Sequence, residues 1–89
     1  MIRYGHAEQH ESLGGICRVY RFENSRYSAS VVSHEFSYGG NDGLWELAIL
    51  YNNQLCYTTP ITDDVIGYLT ADEVQKILAR IDTLRDPSN

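Results

Sequence analysis

The sequence predicts an α+β domain: a four-stranded antiparallel β-sheet, connected as a meander, with one C-terminal amphipathic α-helix packed on a face. Three observations carry this. Residues 16–23, 27–36 and 44–51 are rich in β-branched and aromatic side chains and follow one another at short separations. Val74, Ile77, Leu78, Ile81 and Leu84 recur at helical spacing. Thr70-Ala71-Asp72-Glu73 directly before them matches a capping box. A chain of 89 residues makes one domain with a small core.

Residues 1–15 have few large apolar side chains and end in Gly14-Gly15. They read as a flexible N-terminal tail; a short helix over 6–13 with Gly14 as its stop is the alternative. The ββββα domain then occupies residues 16–86. ICRVYRFE (16–23) is the first predicted strand, expected to be wet on one side because Val19, Tyr20 and Phe22 are mixed with arginines. ENSR (23–26) is turn material, and YSASVVSHEF (27–36) returns as the antiparallel partner.

Leu44–Tyr51 is the third strand. Alternation puts Trp45, Leu47, Ile49 and Tyr51 on one face and Leu44, Glu46, Ala48 and Leu50 on the other, which predicts a central strand or one covered on both sides. A three-residue loop, Asn52-Asn53-Gln54, would align Tyr51 with Leu55 and Ile49 with Tyr57, gathering the large side chains on one face. A two-residue loop would instead send Leu55 and Tyr57 to the other face. The three-residue loop is preferred on that ground, and Pro60 ends the fourth strand at Thr59. ITDDVIGYL (61–69) suits a turn or one helical turn capped by Thr62 or Asp63. The final helix starts at the Thr70 cap, where Asp72 and Glu73 also suit the positive end of its dipole, and it stops at Asp86-Pro87.

Composition excludes several function classes. The formal charge is −5, and residues 46–89 hold seven carboxylates against three basic groups. Such a chain is repelled by phosphate backbones, so nucleic acid is disfavoured as a partner. The longest apolar run, 47–51, is far short of a membrane helix. MIRYGHAEQH has no apolar signal core, so the cytoplasm is expected, and there Cys17 and Cys56 would be reduced thiols.

SYGGNDGLWELAIL (37–50) lacks the lysine and hydroxyl of a Walker loop, and a strand follows it where phosphate capture needs a helix. Asn41 and Asp42 supply too few oxygens for calcium. Gly39, Gly40 and Gly43 are therefore read as turn residues that permit positive φ. His6 and His10 could share a metal only on a helix and with a third ligand. His34 and Glu35, beside Ser33 and Ser37, are adjacent residues at the end of a predicted strand and should point to opposite faces, so a triad is not expected. Asp63-Asp64 is read as a cap rather than an acid–base pair. Arg18 and Arg21 should face opposite sides of the sheet and form no continuous basic stripe. No cofactor, metal or catalytic residue is expected.

Seven tyrosines is a high number. Tyrosine favours strands and also anchors interfaces. Tyr20, Tyr27 and Tyr38, near the hairpin ends, together with Asp42 on the glycine turn, are the candidate partner-binding residues.

YRFENSRYSASVVSHEFSYGGNDGLWELAIL and TPITDDVIGYLTADEVQKILARI together resemble small accessory proteins of tailed bacteriophages. The shared pattern is Y-R-F-x-N, then S-x-G-G-x-x-G-L-W/Y-E-L-A-I/V, then T-P-I/V-T-D-D-V-I-G-Y/W-L, and it covers most of residues 19–84. Asn24-Ser25 stands where the pattern favours Asn-Gly. The family offers no catalytic residue to carry over. What the resemblance implies is a phage or prophage product in the bacterial host cytoplasm. The resulting expectation is a non-enzymatic accessory protein that binds a host or phage protein, as an inhibitor of a bacterial defence system. The alternatives are a small-molecule or nucleotide binder with a site between the sheet and the 39–43 loop, and a minor structural or assembly component that self-associates, for instance as a homodimer, through an edge strand.

Overall fold

In a computed structural model, described here for residues 3–85, one antiparallel sheet carries a single helix on one face. The strands are β1 (Glu8–Ser12), β2 (Gly15–Arg21), β3 (Tyr27–Ser33), β4 (Trp45–Tyr51), β5 (Gln54–Leu55) and β6 (Ile66–Leu69), and the helix is α1 (Ala71–Asp82). β1 to β5 are neighbours in chain order, and β6 pairs with β4 beyond β5. The α+β class, the meander and the C-terminal helix are as expected, with more strands than the four expected.

The added strands have physical causes. β1 falls within the segment read as a tail. Its residues EQHES are almost all exposed and give no hydrophobic alternation. It forms because Leu13 (φ 48°) and Gly14 (φ 82°) make a tight turn, the left-handed pair that a two-residue hairpin demands. Ser12 then meets Gly15 and Glu8 meets Val19. β6 lies where a turn or helical turn was expected. No helix starts at Thr62 or Asp63; Thr62 Oγ1 donates to the Asp64 carbonyl in a local loop bond instead.

The loop after β4 is the two-residue form. Asn52 (φ 52°) and Asn53 (φ 64°) are both left-handed, and Tyr51 pairs with Gln54 and Leu50 with Leu55. The expected three-residue register is thus corrected. Asparagine tolerates this backbone, and the turn won over alignment of apolar side chains. Leu55 consequently points away from the core and is 58% exposed. β5 ends at once, well short of the Thr59 terminus expected.

The core lies between the sheet and α1. Tyr20 and Phe22 from the β2 side, Tyr27, Ala29 and Val31 from β3, and Leu47 and Ile49 from β4 meet Val74, Leu78 and Ile81 of the helix. Trp45 and Tyr51, on the same face of β4, are packed against this cluster. The predicted capping box is present: Thr70 Oγ1 accepts from the Glu73 amide at 3.2 Å, and Glu73 Oε1 accepts from the Thr70 amide at 3.0 Å. The helix ends earlier than the expected stop at Asp86-Pro87, which lies outside the described residues: its last residue is Asp82 and Thr83 is its C-cap, with the Thr83 hydroxyl donating to the Arg80 carbonyl at 2.7 Å. A further clasp joins the first residues to the helix. Gln75 bonds both the amide and the carbonyl of Tyr4, whose hydroxyl donates to Asp82 at 2.8 Å. That bond to a carboxylate raises the Tyr4 phenol above its ordinary 10.0.

Among the described residues no helix covers the opposite face of the sheet. Cys17, Ser28, Ser30, Ala48 and Leu50 lie along it, paired across strands. Cys17 Sγ is 3.6 Å from Ser30 Oγ, and the Ser28 hydroxyl is buried without a hydrogen-bond partner. Cys17 and Cys56 are separate free thiols. β4 is central as expected, held by β3 on one edge and by β5 and β6 on the other.

Hydrogen bonds from the Thr70 backbone and then its side chain lower the Glu73 carboxyl below its ordinary 4.5. A group whose folded value is depressed adds stability above its unfolded value and loses it as pH falls through the folded value. Melting temperature should therefore drop as pH falls from 5 toward 3, and more shallowly in Glu73→Gln than in the natural chain. Identical slopes would show that the capping box contributes nothing in solution.

Candidate contact surface

The stretch SYGGNDG builds one rim of the molecule. Past Ser33 the chain turns sharply: Ser37 Oγ donates to the His34 carbonyl at 2.9 Å and accepts from the His34 amide at 3.0 Å. His34 Nδ1 accepts from the Phe36 amide at 3.1 Å. Gly39 (φ 89°) and Gly43 (φ 73°) bracket a single 3-10 turn over Gly40–Asp42, with left-handed backbone at each end. Gly40 differs, because a Cβ there would overlap the His34 carbonyl oxygen. Its role is close approach of two chain segments, not the positive φ expected of it. The loop turns the chain, as expected.

Tyr38 is held by its backbone. Its amide donates to Glu46 Oε1 at 3.0 Å, and its carbonyl accepts from the Tyr68 amide at 3.1 Å. Gly67 and Gly39 let these segments touch, since a Cβ at Gly67 would strike the Tyr38 side chain and one at Gly39 would meet the Tyr68 backbone at 2.9 Å. The two tyrosine rings lie 6.4 Å apart at a tilt of 32°. Tyr38 is 60% exposed, Tyr68 61% and Phe36 72%.

Tyr68 has φ 57°. A bulky residue rarely adopts this backbone, at a cost of about 1–2 kcal/mol. The cause is a register shift: Trp45 pairs with Leu69 but Leu47 with Ile66, so β6 has one more residue than β4 between the pairs. Such a bulge re-aims a side chain. Here it turns the Tyr68 ring outward beside Tyr38.

The four expected contact residues divide. Tyr38 and Asp42 are exposed on this rim. Tyr20 (5% exposed) and Tyr27 (7%) are core residues, with Tyr27 edge-on to Tyr51 at 5.0 Å. Their rings are covered by neighbours and do not form a contact surface with Tyr38. The sequence pattern does not distinguish Phe36 and Tyr68 as contact residues. Gly67 inside VIGYL (65–69) is the one sequence trace of Tyr68, since glycine within a strand marks a bulge or close approach, and Phe36 has none.

Other candidate clusters stay apart. His10 lies in β1, and the His6 ring stands edge-on to Tyr20 at 6.1 Å, so the two histidines share no helix face. Among the described residues no three His, Cys, Asp or Glu side chains are grouped to hold a metal ion. Arg18 and Arg21 take opposite faces of β2, as expected: Arg18 lies over Trp45, and Arg21 reaches Asn53 and Glu8. No helix among the described residues is long and apolar enough to cross a membrane. No family model matches the chain, and no curated protein or solved structure shows significant similarity to it.

Proposed function

We propose that this chain is a non-enzymatic protein-binding module whose contact surface is the Tyr38–Tyr68 pair with Phe36 and Asp42 at its border. The single observation that carries the reading is Tyr68: an aromatic ring held in solvent by a strained, bulged backbone. Strain at one residue persists only where surrounding structure enforces it, and it clusters at functional positions. Two exposed rings on glycine-braced backbone are preorganised, so little rotamer freedom is lost on association. The phage resemblance supplies the setting: an accessory protein acting on a host or phage protein in the bacterial cytoplasm, as an inhibitor of a defence system.

Tyr68→Gly separates function from folding. Glycine relieves the positive φ, so thermal stability should hold or rise by up to about 1 kcal/mol. Capture of a stoichiometric partner from bacterial lysate should be lost in Tyr68→Gly and in Tyr38→Ala. Equal capture by both variants would remove the rim from the interface. A turnover abolished by His34→Ala would overturn the non-enzymatic reading.

A further inference from the structure

A recess of about 70 Å3 lies between the start of α1 and the sheet, away from the aromatic rim, and Arg3, Arg18, Trp45, Ala71 and Gln75 are among its walls. No acidic side chain lines it. Arg18 is half-buried in β2; its Nε donates to Gln9 Oε1 at 2.9 Å, and its guanidinium lies 5.0 Å from the centre of the Trp45 ring. Among the described residues no carboxylate forms an ion pair with it. A partly desolvated cation without a paired carboxylate is unfavourable, and the Trp45 face offsets only part of that.

The second guanidinium is Arg3, paired at 3.5 Å with Asp72. Both partners are exposed, so this pair is weak and readily exchanged. Glu73, the other acid of the first helical turn, folds back onto the Thr70 amide. The positive end of the α1 dipole adds to the field on the same side.

We propose that this recess binds a single phosphate group, as carried by a phosphorylated small molecule. Two guanidinium groups suit a dianion, and their planar forks match phosphate oxygens. The volume is roughly that of two or three waters. It seats one tetrahedral oxyanion and leaves the remainder of the ligand outside, over the mouth. The site is independent of the Tyr38–Tyr68 surface.

Trp45 is the chain's one tryptophan, so its emission reports on the recess. Titrating the full chain with inorganic phosphate at constant ionic strength should give a saturable change in Trp45 fluorescence and a raised melting temperature. Arg18→Gln and Arg3→Gln should each weaken binding by about tenfold or more, while Lys76→Gln, on the exposed side of α1, should leave it unchanged. Where circular dichroism shows Arg18→Gln unfolded, Arg3→Gln decides. Phosphate acting no differently from chloride, Arg3→Gln binding as tightly as the natural chain, or Lys76→Gln weakening it equally would each overturn the proposal.

Discussion

Leu78→Ala should destabilise the protein by about 2–5 kcal/mol, the range for truncating a fully buried leucine. Leu78 is 0% exposed and sits in the cluster shared by α1 and the central strands. Its removal takes away transfer free energy and leaves a cavity that the sheet cannot close, because Leu47 and Ile49 opposite it are fixed in a ladder. Small domains lie toward the low end of the usual range of about 5–15 kcal/mol. The variant should therefore be largely unfolded near physiological temperature. A urea titration followed by circular dichroism gives the shift in midpoint. A loss below about 1 kcal/mol would mean that the helix is not the lid of the core.

Gly40→Ala should destabilise by about 1–3 kcal/mol, as overpacking does. The added methyl would overlap the His34 carbonyl and stand 2.5 Å from Ser37 Oγ. Those are the groups that close the turn between β3 and the rim. Neither is the free end of a flexible side chain, so the backbone must move. Gly43→Ala is the comparison. Its Cβ meets nothing within 4 Å, but its φ is +73°, and that conformation alone costs about 1–2 kcal/mol for alanine. If Gly40→Ala proves the milder of the two in urea midpoint, close approach is not the reason for glycine at 40.

What could be read in advance was what a short segment decides for itself. The Thr70–Glu73 box and the stripe from Val74 to Ile81 need only helical spacing and appear where expected, while Leu84 packs on the core from beyond the helix end. The face of β4 that carries Trp45, Leu47 and Ile49 follows from a period of two. What escaped was decided elsewhere. β1 has no apolar pattern because its neighbour supplies the pairing through the Leu13-Gly14 turn. The loop at Asn52-Asn53 obeyed backbone preference against side-chain alignment. Tyrosine is at home both in a core and in water, so composition could not divide Tyr20 and Tyr27 from Tyr38. The outward turn of Tyr68 depends on a bulge between strands about twenty residues apart in sequence, which no local motif announces.

β4 has hydrogen-bonded neighbours along both edges and the helix over one face. A strand so enclosed has no inexpensive way to breathe. Transient opening must begin at the periphery, in the polar border strand or the sparsely paired stretch before β6, and progress inward. Tyr68 stands on β6, a direct neighbour of that enclosed strand, and Tyr38 on the loop leading into it, whereas Arg18 lies two strands away on β2 and Arg3 precedes the border strand. Loosening of the border strand would therefore disturb the guanidinium recess, through Gln9 and Arg3, well before the central strand gives way.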